Sequence, residues 1–112
     1  MDIKSLTEAE AEAEDALQEL IDIEEEIVEA QRDVVIAKEK KEAILGLKSN
    51  ESNEKTATQR ENWARNTVEY KGAVQHYANA MGEAARLRQR QEIIKMKLSL
   101  FQTKSANQRI TI

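Results

Sequence analysis

Arg86, Arg88, Arg90, Lys95 and Lys97 set five cations within twelve residues. Cations spaced along a helix neutralise phosphates, so the chemistry they offer is contact with a nucleic-acid backbone. A competing use lies within the chain. Residues 1–30 hold twelve acids against one base, Lys4, and residues 86–109 hold seven bases against one acid, Glu92. A net charge of −4 favours this internal pairing over a polyanionic partner.

The other reactive side chains are sparse. His76 is the single histidine and cysteine is absent, so no thiolate or two-imidazole metal site is available. The cluster from Glu8 to Asp15 and the run Glu24-Glu25-Glu26 lie in helical sequence, where carboxylates do not converge as they do in a calcium loop. They read as solvated faces. Trp63, Tyr70 and Tyr77 recur every seven residues, which makes them core anchors before a base-stacking platform. There is no Gly-rich phosphate loop and no nucleophile elbow. The expectation is a non-enzymatic protein with no catalytic residue, metal or cofactor.

Long helices must position these residues. Leu6, Ala9, Ala13, Ala16, Leu20, Ile23, Ile27, Ala30, Val34, Ala37 and Ile44 recur at steps of three and four, interrupted only by Lys41. That is an a/d heptad seam, which a strand of period two cannot use. It predicts a first helix over residues 6–45, capped by Thr7 or Ser5 and closed by Gly46 as the C′ residue. The Ser- and Asn-rich stretch 46–57 reads as a loop, and Thr58 or Thr56 caps a second helix over 58–103. Its seam runs through Trp63, Tyr70, Tyr77, Ala84, Gln91 and Leu98, with Ala73, Ala80, Leu87, Ile94 and Phe101 between them. The tail 104–112 is expected to fray.

The composition agrees. Proline is absent, glycine occurs three times in 112 residues, and about a third of the residues are charged, which is the composition of long helices in one small domain. No apolar run approaches the ~20 residues a bilayer requires, and the N-terminus lacks the pattern of a signal peptide, so no membrane contact and a cytoplasmic location are expected.

The fold class expected is all-α, a long antiparallel helical hairpin. A turn centred near residue 52 pairs positions whose numbers sum to about 104, setting Leu20 against Ala84, Ile23 against Ala80, Ile27 against Tyr77, Ala30 against Val74, Val34 against Tyr70 and Lys41 over Trp63. A second apolar stripe, Leu17, Ile21, Val28 and Val35, is left over on the first helix, and Val68, Ala78, Ala85, Ile93, Met96 and Leu100 are left over on the second. Pairing two hairpins into a four-helix bundle covers such stripes, with Gly72 and Gly82 allowing close approach, so a homodimer or larger oligomer is expected.

The segment Leu98-Ser99-Leu100-Phe101-Gln102-Thr103-Lys104-Ser105-Ala106-Asn107-Gln108-Arg109, with Tyr70-Lys71-Gly72-Ala73-Val74, Tyr77-Ala78 and Arg86-Leu87-Arg88 upstream, resembles small phage and prophage coiled-coil proteins of the early and recombination region. Those proteins end a long helix with an aromatic residue and a Ser/Ala-Asn-x-Arg tail, and Phe101 stands here where they have Trp. The resemblance spans about residues 60–109. It implies a phage accessory protein and transfers no catalytic residue. Two functions follow as expectations. One is an oligomeric accessory protein that binds another protein through its helical surface. The other is an accessory nucleic-acid binder of phage recombination or replication using the basic half of the second helix.

Overall fold

The computed structural model describes residues 3–110, with side chains described for residues 8–104. Three helices follow one another: α1 (Ile3–Glu51), α2 (Ala57–Arg65) and α3 (Val68–Ile110). Among the described residues there is no strand, and no helix is long and apolar enough to cross a membrane. The seam position Leu6, the capping side chains Ser5 and Thr7, and the side chains from Ser105 onward lie outside the described side chains.

α1 does not stop at Gly46, which is a correction to the expected boundary. Gly46 is exposed and has no left-handed backbone, so it acts as a tolerated helix residue rather than a C′ cap. The last turns hold together locally. The Ser49 hydroxyl donates to the Leu45 carbonyl at 2.7 Å, and Lys48 pairs with Glu51 at 2.9 Å. That hydrogen bond to Glu51 is the main cause that holds the Lys48 ammonium above its ordinary pKa.

The expected second helix is divided in two. Thr56 caps α2 with a capping box, its hydroxyl accepting from the Gln59 amide while the Gln59 side chain accepts from the Thr56 amide. After nine residues α2 ends, and the helix breaks at Asn66 and Thr67. The Asn66 side chain donates to the Asn62 carbonyl at 2.9 Å, and the Thr67 hydroxyl donates to the Ala64 carbonyl at 2.6 Å while accepting from the Tyr70 amide. These side chains offer the backbone an alternative to the helical ladder. The break moves the buried phase by one residue. Ala64 is fully buried, and Trp63, expected in the seam, is 42% exposed. Downstream, α3 continues through residues 104–110, where fraying was expected.

The chain divides into two compact units. One comprises α1 up to Val28 and α3 from Arg86; its buried residues are Ile23, Ile27, Leu87 and Ile94. Leu20, Leu98 and Phe101 are half-buried in the same unit. The other runs from Glu29 to Ala85, and its buried residues are four alanines: Ala30, Ala37, Ala64 and Ala84. Val34, Tyr70 and Tyr77 are half-buried there. Apart from Ala64, buried in place of the seam residue Trp63, burial follows the a/d seam in both units, with aliphatic side chains in one and small ones in the other.

Two contacts in the Glu29–Ala85 unit set the direction and register of α1 against α3. The Lys41 ammonium lies 4.7 Å from the centroid of the Tyr77 ring, and Lys48 lies 3.7 Å from Glu69. Later positions on α1 meet earlier positions on α3, so the segments are antiparallel. Their numbers sum to 118 and 117, against the 104 expected from the sequence. Lys41 does lie over an aromatic face, but the ring is Tyr77 and not Trp63. Val74, expected opposite Ala30, is 40% exposed. The cause of the shift is the lengthened connection: α1 runs on to Glu51 and α2 is interposed, which moves the centre of the turn away from residue 52.

A zero-length carbodiimide crosslink tests this register on the unmodified chain. The expected product is an isopeptide between Lys48 and Glu69, found by peptide mapping. Linkage of Lys48 to Glu54 with none to Glu69 would restore the shorter register.

Candidate interaction surface

α3 distributes its basic residues over two faces. At 100° per residue, Arg86, Arg90 and Lys97 fall within about 40° of arc, while Arg88 and Lys95 lie about 170° away. The buried Leu87 and Ile94 point between the two sets. All five residues expected to contact nucleic acid are exposed, but they do not form one stripe. Lys95 already pairs with Glu92 on its own helix, at 3.7 Å.

In the unit that holds these residues, a groove of about 490 Å³ is lined by Ala9, Ala13 and Ala16 of α1 and by Leu98, Leu100 and Phe101 of α3. Its charged lining has opposite signs on its two sides, with Glu12, Asp15 and Glu19 on α1 and Lys97 and Lys104 on α3. The acidic and basic segments of the sequence therefore do come together here. Lys97 is shared between this groove and the expected phosphate-binding set.

The residues expected at an oligomer interface are all exposed. Leu17, Ile21, Val28 and Val35 keep 51%, 53%, 56% and 55% of their surface, and Ala78 and Ala85 are exposed as well. Gly72 and Gly82 have open space where a Cβ would stand, so neither is required by close approach within the chain. Two residues missed from the sequence join Ala78 and Ala85. Val74 and Met81, at 40% and 44% exposure, complete the spacing 74, 78, 81, 85, which is itself an a/d pattern. That spacing was legible beforehand, but the assignment of Val74 to the intrachain seam concealed it.

His76 is exposed, and among the described residues no group of three or more His, Asp or Glu is placed to hold a metal ion. No family model, curated protein or solved structure matches the chain.

Proposed function

We propose that this chain is a non-enzymatic oligomeric accessory protein, a helical hairpin that pairs into a four-helix bundle and acts by protein–protein contact on its helical surface. One observation carries the reading. The Glu29–Ala85 unit buries four alanines and leaves Val35, Trp63, Val74 and Met81 each at least 40% exposed. Large apolar side chains outside and small ones inside invert the usual distribution, and Val74 and Met81, seven residues apart on one face of α3, give the kind of exposed apolar surface that marks an interaction site. The phage affiliation and a cytoplasmic location belong to the same proposal and rest on the resemblance around residues 60–109 and on the charge-rich composition.

Folding and association are then coupled, and the melting temperature rises with protein concentration. A Val28→Glu/Val35→Glu variant is expected to shift toward monomer in sedimentation and to lose helicity at the same time. A wild-type chain that sediments as a fully helical monomer at tens of micromolar would sink the oligomer and leave the face for a foreign protein.

The face shared by Arg86, Arg90 and Lys97 favours a second reading, binding of a nucleic-acid backbone. A gel-shift titration with duplex and single-stranded DNA at about 50 mM salt tests it. Binding that weakens with salt and is lost in Arg86→Ala/Arg88→Ala/Arg90→Ala supports this use, and no shift at low salt removes it.

A further inference from the structure

Along α1, one continuous helix, the exposed Leu17, Ile21, Val28 and Val35 fall within about 40° of arc, roughly 120° round the helix from the buried Ile23 and Ile27. They form a second seam that the intrachain packing does not use. Beside this seam, the exposed Gln18, Glu25, Arg32 and Glu39 recur every seven residues. Resting on the oligomer reading above, we infer that a second copy of the chain covers this seam, with α1 against the partner's α1, antiparallel about a two-fold axis at Val28.

Apolar matching and charge agree on that position of the axis. With Val28 on the axis, Val28 meets the partner's Val28, Ile21 meets the partner's Val35, and Leu17 closes against the same Val35. Glu25 then lies opposite the partner's Arg32, and the two-fold symmetry supplies this pair twice. Sliding the copies by one heptad keeps apolar residues on the seam but sets like charges together. In one direction Arg32 faces the partner's Arg32 and Glu25 faces the partner's Glu39. In the other, Glu25 faces the partner's Glu25. Flanking charges of this kind specify orientation and register in paired helices.

The test uses the full chain. A residue on a two-fold axis meets its own copy, so Val28→Cys forms a covalent dimer under mild oxidation. Gln18→Cys, whose copy stands about 30 Å away in this register, does not. In sedimentation, Glu25→Arg and Arg32→Glu each weaken the dimer about tenfold, and Glu25→Arg/Arg32→Glu returns to within about threefold of wild type. Circular dichroism on each variant separates lost association from lost folding. A wild-type dimer that gives no Val28→Cys crosslink, or a double variant as weak as the single ones, overturns this geometry and leaves the oligomer reading intact. A wild-type monomer overturns both.

Discussion

Ile94→Ala is expected to lower the unfolding free energy by roughly 2–4 kcal/mol, from the lost transfer energy of the deleted carbons and the cavity they leave. Ile94 is 2% exposed and belongs to the one unit whose core is aliphatic, with Ile23, Ile27 and Leu87. A loss of that size is a large share of the stability of a small domain, about 5–15 kcal/mol. Urea unfolding followed by far-ultraviolet circular dichroism, at one fixed protein concentration, measures it. Val68→Ala serves as the internal comparison. Val68 is 82% exposed, and its truncation should fall within about 0.5 kcal/mol of wild type. Similar losses at the two positions would mean that residue 94 does not sit in a packed core.

Ala37→Leu should destabilise by about 1–3 kcal/mol for the opposite reason, overpacking. Ala37 is 1% exposed in the unit that buries only alanines. Small residues on a seam let helix backbones approach, and an interior packed to crystal density has no room for three more carbons. The chain must then separate α1 from its neighbour or push the leucine out of its rotamer. The same urea titration reads the result. A neutral or stabilising Ala37→Leu would show that the alanine seam is loosely filled, and the inverted distribution of large and small side chains would lose its meaning.

The difference between the expected and the observed register has its origin in the heptad repeat itself. Heptad seams are degenerate, because sliding one helix by seven residues again sets a and d positions against a and d positions. The sums 104 and 118 differ by two heptads, about 21 Å of helix, and the apolar pattern accepts either. In the unit holding the basic residues, Glu12 with Lys104 and Glu19 with Lys97 line one groove, and both pairs of numbers sum to 116. The same register places Glu26 opposite Arg90, though it also sets Glu24 against Glu92. The shorter register also offers opposite charges, with Glu14 against Arg90, Asp33 against Lys71 and Glu39 against Arg65. Charge patterning alone therefore does not choose between the two, and the contacts of Lys41 with Tyr77 and of Lys48 with Glu69 do.

The candidate surface was legible to a similar degree. Leu17, Ile21, Val28 and Val35 were recognisable as surplus because their phase on α1 differs from that of Ile23 and Ile27, and all four are exposed. Val74 and Met81 complete an a/d spacing with Ala78 and Ala85 that the pairing of Val74 with Ala30 obscures.

What the sequence by itself determined is therefore the helical class and the buried face. From Ala9 to Ile44, and from Tyr70 to Phe101, every seam position is buried or half-buried, because a period of 3.5 residues is a property of the chain that no neighbour needs to supply. Only the tertiary structure decided where the helices end and how far they slide. At Gly46 the helix continues, and at Asn66–Thr67 it breaks. A glycine costs about 1 kcal/mol within a helix and a side-chain hydrogen bond contributes about as much, so neither settles a boundary alone. The break at Asn66–Thr67 exchanges Ala64 for Trp63 as the buried residue, and the contacts of Lys41 with Tyr77 and of Lys48 with Glu69 fix the register.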